Sequence, residues 1–287
     1  MQSDRFREGW GKAGDGGSFR EDLFFVVGPL RTGTSLLSRC LDDHPGAICL
    51  CESEINRALF RDYTVAHHCQ RMIAHGLSME EAVAHLDRRK QDDFASLEGW
   101  YSDIRPRLAH LYEKPGSARL GDKSPDFYRS PELVRHLSSH HPLIYTVRDP
   151  RAIYCSIDSQ IDATPEEKSE RWSSLVENFR AWEPYLDDPN LLVIRYEDLV
   201  RMPEPTMSQV YAHLGLAPSS RFLEPFARHH PYRFLWTTAV DWETGIRKDF
   251  DLRRIDSWAT LLADHSARLI ESDRDVLRFM ARFGYES

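Results

Sequence analysis

The sequence predicts an α/β fold: a P-loop-like, three-layer arrangement with a central parallel β-sheet and helices on both faces. Three observations carry that expectation. Short apolar runs at 23–27, 47–50, 118–120, 143–147 and 191–195 alternate with amphipathic helical stretches. Most of these runs are too short and too continuously apolar to be half-exposed, which suits strands covered on both faces. The first run also leads straight into a glycine-bracketed turn and a helix start, "FFVVGPLRTGTSLLSRCLDDHP" over residues 24–45. Strand, glycine turn and helix N-terminus in that order make an anion-binding loop.

Composition sets the outer bounds. With 287 residues, 41% hydrophobic and 29% charged, the chain can bury a sizeable core. No repeat, low-complexity block or linker divides it, so one domain over 21–287 is expected, after a loose polar tail at 1–20. The formal charge of -8 argues against a protein that grips nucleic acid, though not against a local basic pocket. Five cysteines, Cys40, Cys49, Cys51, Cys69 and Cys155, are odd in number and unpatterned. They read as buried thiols, with a zinc or redox pair at Cys49-x-Cys51 as the alternative. The 13 histidines include adjacent pairs such as His140-His141 but no H-E-x-x-H spacing, so no metal site is expected. No apolar run approaches the ~20 residues of a membrane span, and the N-terminus lacks a signal-peptide core. A cytoplasmic protein with no membrane or nucleic-acid partner is the expectation.

Taken in chain order, each element has a local reason. Gly28 and Gly33 bracket Pro-Leu-Arg31-Thr32, and Thr34-Ser35 open a helix whose free N–H groups and dipole favour a negative charge. Arg31 adds a fixed positive fork, and Thr32, Thr34 and Ser35 add hydroxyls. Thr34 stands where an ordinary nucleotide-triphosphate loop has lysine, so the loop suits a terminal 5′ phosphate group better than a triphosphate with magnesium. Residues 61–117 carry no clear strand signal and read as a helical insert of two or three helices, with Ser78 and Glu81 spaced as a capping box. Such an insert covers the ligand crevice of an open sheet. Its aromatics Phe94, Trp100, Tyr101 and Tyr112 are candidates for an acceptor pocket, with core packing as the commoner role. "LIYTVRDPRAIYCSIDS" is a strand, then Arg148-Asp149-Pro150-Arg151, then a helix with Ser156 two turns in. Arg148 and Ser156 can grip a phosphate separate from the first, and Asp149 can cap the helix. Trp172, Leu175, Val176, Phe179 and Trp182 fall on one helical side and read as core.

"PLRTGTSLL" followed by "YTVRDPRAIYCSIDS" resembles the 5′-phosphosulfate loop and 3′-phosphate motif of the sulfotransferases that use 3′-phosphoadenosine 5′-phosphosulfate (PAPS). The likeness is to the group containing tyrosylprotein, carbohydrate and many bacterial sulfotransferases. "DDHPGAICLCESE", "GDKSPDFY", "VIRYEDLV" and "FMARFGYES" extend it from about residue 23 to the C-terminus, with 61–117 and 218–250 weakly covered.

The resemblance implies a set of roles. Arg31, Thr32, Gly33, Thr34 and Ser35 would hold the 5′ end of PAPS, Arg148 and Ser156 the 3′ phosphate, and Tyr196 would flank the nucleotide. Lys123 would point at the transferring sulfuryl group, with Arg31 assisting it. Glu52, or else Glu54, would be the general base. Lys248, Arg253 and Arg254 would belong to a basic segment closing over the nucleotide, although the R-K-G-x-x-G form is missing. Read from residue chemistry alone, Glu197 and Asp198 only cap the next helix. The acceptor would be a hydroxyl, or an amine, on a small molecule, carbohydrate or peptide. The product would be adenosine 3′,5′-bisphosphate (PAP), with no metal needed. Two other readings stay open: a Mg-ATP-dependent kinase or NTPase built on the G-x₄-G spacing, and a non-catalytic nucleotide-binding protein.

Overall fold

The computed structural model describes residues 22–53, 69, 72–73, 75–82, 94–160, 163–223, 250–262, 267 and 270–285. Five strands, β1 (Leu23–Val27), β2 (Ala47–Cys51), β3 (Arg119–Lys123), β4 (Leu143–Val147) and β5 (Leu191–Arg195), form one sheet. Its order is β2-β3-β1-β4-β5 and every pairing is parallel. β1 is central because the chain leaves it first for the far edge and then crosses to the other side. That reversal opens a crevice at the carboxyl ends of β1, β3 and β4, where open α/β sheets bind ligands.

Burial on both faces explains the continuous apolar runs. Along β1, Leu23, Phe25 and Val27 enter one core, and Phe24 and Val26 enter the other. The first core is closed by α2 (Phe94–Leu111), α3 (Pro131–His140), α4 (Pro150–Asp158), α5 (Pro165–Trp182) and α8 (Arg274–Phe283). The second is closed by α1 (Thr34–Asp42), α6 (Tyr196–Arg201) and α7 (Pro203–His213). These are the three layers expected. Phe25 meets Tyr101, Phe127 and His141 edge-on at 5.6, 5.5 and 5.3 Å, the geometry aromatic quadrupoles favour. In α5, Leu175, Phe179 and Trp182 are buried, with Trp172 and Val176 packed at the margin.

Two strands end later than the hydrophobic pattern indicates. β2 runs on to Cys51, and β3 covers 119–123 rather than 118–120. Gly121, Asp122 and Lys123 break the apolar pattern, but β3 is paired on both sides, and Lys123 lies level with Val26 and Cys51. The ladder carries polar residues into the core there. The capping box at 78–81 forms as expected: Ser78 N donates to Glu81 Oε2 at 2.7 Å and Glu81 N to Ser78 Oγ at 3.1 Å. The N-terminal tail and much of the insert lie outside the described residues. Among the described residues no helix is long and apolar enough to cross a membrane. All five cysteines lie among the described residues, four of them buried.

Candidate active site

Each strand delivers one site element at its carboxyl end: the loop 28–33 after β1, Glu52 after β2, Lys123 closing β3, Arg148 after β4 and Tyr196 after β5. The loop depends on its two glycines. Gly28 has φ 134°, and a side chain there would stand 2.5 Å from the Thr146 carbonyl oxygen. Gly33, left-handed at φ 87°, is the N-cap of α1, and no side chain caps that helix. A Cβ on Gly33 would lie 2.5 Å from Cδ2 of Tyr196. Gly33→Ala is therefore expected to cost about 1–3 kcal/mol of stability through backbone strain. It should also weaken anion binding by displacing Tyr196. Thermal unfolding and ligand titration of the variant check both effects.

Arginines converge above this loop. Arg31, itself left-handed at φ 68°, donates from Nε to Ser156 Oγ at 2.9 Å. Arg148 Nη1 donates to the Arg31 carbonyl at 3.2 Å, and Nη2 to the Arg254 carbonyl at 2.6 Å. Its guanidinium lies 4.4 Å from the centre of the Tyr196 ring. Burial and the charges of Arg148, Arg254 and Arg171 push the Arg31 guanidinium down to about 10. Burial also lowers Arg148, despite Tyr196 and Glu197 nearby. Arg148 is 7% exposed and its Nε is buried with no hydrogen-bond partner among the described residues. Like charges held together out of water are costly unless an anion joins them. The cluster fits a phosphate-bearing ligand.

On the neighbouring strands, Lys123 Nζ meets Glu52 Oε1 at 2.5 Å, and Glu52 N donates to the Lys123 carbonyl at 2.7 Å. The lysine is 1% exposed. Burial would lower its proton affinity, but Cys51 and Glu52 outweigh burial and raise it. The ammonium therefore stays charged throughout the neutral range. Glu52 has φ 58°. Among the described residues only Arg31, Glu52 and Glu113 combine a side chain with a left-handed backbone, so two of the three strained positions are candidate catalytic residues.

The structure redistributes several expected roles. Thr32 is fully buried, and its hydroxyl is engaged by the Pro29 carbonyl and Thr146 Oγ1, both at 2.7 Å. It braces the loop from inside and presents no hydroxyl to a ligand. Arg31 reaches Ser156, so the glycine loop and α4 meet at one guanidinium. Asp149 caps α4 through Arg151 N and also grips the Arg151 guanidinium, with Nη2–Oδ2 2.7 Å. Arg151 in turn lies 3.8 Å over the Trp258 ring, which holds the C-terminal segment against α4. Arg254 meets Arg148 through its backbone carbonyl, while its own guanidinium is partly exposed beside Asp251 at 3.8 Å. Arg253 is exposed and paired with Asp251. Lys248 and Glu54 lie outside the described residues.

Glu197 is not a helix cap. It is buried, accepts from Asp149 N at 3.0 Å and from Tyr285 Oη at 2.8 Å, and so pins the C-terminal residues to the Arg148 turn. Nothing local in the sequence points to that, because the partners lie 48 and 88 positions away. Trp100 and Tyr101 are core residues, and Tyr112 packs against the same core and bonds His75 Nδ1 at 2.9 Å. The Phe94 side chain lies outside the described set. His136 and His141 both direct Nε2 at Glu98 Oε1, at 2.8 and 2.9 Å. The buried Nδ1 of His141 has no hydrogen-bond partner among the described residues, whereas a metal-bound histidine normally donates from its other nitrogen. This is a hydrogen-bonded clasp between α2 and α3.

Similarity to known proteins agrees with this geometry. The structure resembles the sulfotransferase domain of the Synechococcus PCC 7002 olefin synthase, with TM-score 0.65 and 20% identity over 92% of this chain and 95% of that one. It resembles the sulfotransferase domain of the curacin biosynthetic pathway with TM-score 0.61 and 18% identity, covering 92% and 97%. At such identities the likeness speaks to the fold. No curated protein sequence matches significantly. A model of the sulfotransferase family matches residues 24–220, a span that begins in β1 and takes in the glycine loop, Lys123 and the Arg148 turn. The chain belongs to the sulfotransferase family.

Proposed function

We propose that this sulfotransferase moves the sulfuryl group of PAPS to a hydroxyl, or an amine, of a small-molecule, carbohydrate or peptide acceptor, and works in the cytoplasm. The reading rests on one observation above the others: Arg31, Arg148 and Ser156 form a partly buried cationic cluster beyond β1 and β4, with Lys123 ending β3, the strand beside β1, and Glu52 one strand farther out. Arg148 and Ser156 take the 3′ phosphate. Arg31, with the N–H groups that open α1, takes the 5′ end. Sulfuryl transfer is an in-line displacement with charge spread over the equatorial oxygens, so position and electrostatics supply most of the rate. Lys123 stabilises the 5′-phosphate oxygen as the S–O bond to it breaks. Glu52 accepts the acceptor's proton as the new S–O bond forms. The five cysteines, odd in number and unpatterned, support a reducing compartment.

The direct test is incubation with PAPS and a panel of alcohols, phenols, sugars, amines and peptides, read by mass spectrometry for sulfated product and PAP. Product with stoichiometric PAP is expected. The absence of PAP release with every acceptor would contradict the reading.

A pH dependence follows from Arg31. Its proton is held below about pH 10 in the free protein, so PAP affinity should be flat from neutral pH to about 9. An anion favours the charged form, so above about pH 10 binding must take up a proton and affinity should fall by up to about tenfold per pH unit. Tyr196 is raised above its usual value, by burial foremost. Calorimetry in buffers of different ionisation enthalpy measures the proton uptake, and affinity unchanged to pH 11 would contradict it.

A further inference from the structure

A buried carboxylate sits one residue before the lysine. Asp122 is fully buried and pairs across β2–β3 with Leu50, on the face opposite to Lys123. Three donors reach it: Ser53 N at 3.2 Å, Tyr101 Oη at 2.6 Å, and Ser53 Oγ at short range. Both carboxylate oxygens are engaged, Oδ1 by the backbone and Oδ2 by two hydroxyls. Ser53 directly follows Glu52, the left-handed residue at which the chain leaves β2. Tyr101 comes from α2, at the end of the predicted acceptor-side insert. A carboxylate taken wholly out of water costs several kcal/mol unless its partners satisfy it, and an apolar residue would be the ordinary occupant of a central strand. The three donors come from two segments, the residue that follows Glu52 and α2.

We propose that Asp122 is a positioning residue for sulfuryl transfer: it anchors Ser53 and Tyr101 so that Glu52 holds the backbone that aims its carboxylate at Lys123. The linkage joins α2 to the base through one hydrogen-bonded relay, Tyr101–Asp122–Ser53. This inference rests on the reading of Glu52 as general base. Burial pushes the Asp122 carboxyl up, against the pull of Ser53 and Tyr101, so the network depends on its donors staying in place.

The test is a double-mutant cycle on the full-length enzyme: Asp122→Asn, Glu52→Gln and the pair. PAPS turnover is followed as PAP release with n-butanol as probe acceptor and enzyme in excess, whether butanol or water takes the sulfuryl group. Asp122→Asn keeps the shape but presents an N–H₂ group to donors. It should lower kcat by about 10–100-fold and leave PAP affinity within about threefold. In the Glu52→Gln background it should cost almost nothing more, because the two substitutions remove one function. A residue that only stabilises the fold would lower the unfolding temperature and multiply its effect with Glu52→Gln. If Asp122→Asn does not fold, Tyr101→Phe removes a single donor and enters the same cycle, with a loss of about threefold expected. Full kcat in the variant used, or losses that multiply, overturn the role of Asp122 alone. Full activity in Glu52→Gln overturns the base assignment and this inference with it.

Discussion

Lys123→Ala is expected to lower sulfuryl transfer by about a thousandfold while PAPS affinity changes by less than about threefold. The magnitude is that of deleting a preorganised group aimed at developing charge in a dry site, about 10²–10³ in kcat. Lys123 meets the conditions for such an effect. It ends a strand paired on both sides, it is 1% exposed, and it retains its proton at neutral pH. Water cannot replace it without reorganising as the S–O bond breaks. The loss should fall on kcat because the bridging oxygen gains its negative charge only as the S–O bond breaks and is not anionic in bound PAPS. Stability should change less than the ~3–5 kcal/mol of a broken fully buried pair, since the Glu52 side chain is 24% exposed and stays partly solvated. Lys123→Arg should not rescue, as the planar fork does not fit a point-charge site. Single-turnover kinetics on the folded variant make the measurement, and unchanged turnover would remove Lys123 from the mechanism.

Arg148→Ala should have the second large effect, a loss of about 10²–10³ in PAP affinity. Truncating one member of a buried, hydrogen-bonded charge arrangement costs about 2–5 kcal/mol. Here the side chain does several things together: it ties the Arg31 carbonyl to the Arg254 carbonyl, stacks on Tyr196, and holds an unpartnered Nε in the interior. Its removal should therefore loosen the glycine loop and the C-terminal segment along with the 3′ site. Adenosine 5′-monophosphate, which lacks the 3′ phosphate, should lose much less. Equal losses for the two nucleotides would mean that Arg148 supports the fold of the pocket without recognising the 3′ phosphate.

The sheet and its carboxyl-edge site were legible because β1, β4 and β5 are apolar runs with abrupt ends, and the residue after each end is chemically conspicuous. Gly33, Arg148, Pro150 and Ser156 fall where turn chemistry and helix geometry put them. The end of β3 was not legible. Gly121-Asp122-Lys123 departs from the apolar pattern, and pairing on both sides overrides that departure. Thr32 shows a second limit. A hydroxyl in a phosphate loop can face the ligand or brace the loop, and the Pro29 carbonyl with Thr146 settles the choice through tertiary contact. Glu197 shows a third. Beside a helix start an acidic residue reads as a cap, and only the docking of Tyr285 reveals it as the link between the C-terminus and the Arg148 turn. The aromatics at 100 and 101 read as core first and pocket second, and burial, a property of the assembled layers, puts both in the core.

Titration calorimetry of the wild-type protein with PAP in the presence of EDTA, set against Mg-ATP, tests most directly whether the arginine cluster holds a doubly phosphorylated adenosine without metal. Binding of PAP that is indifferent to magnesium and much tighter than that of Mg-ATP is predicted. No PAP binding in EDTA, or tighter binding of Mg-ATP, would contradict it.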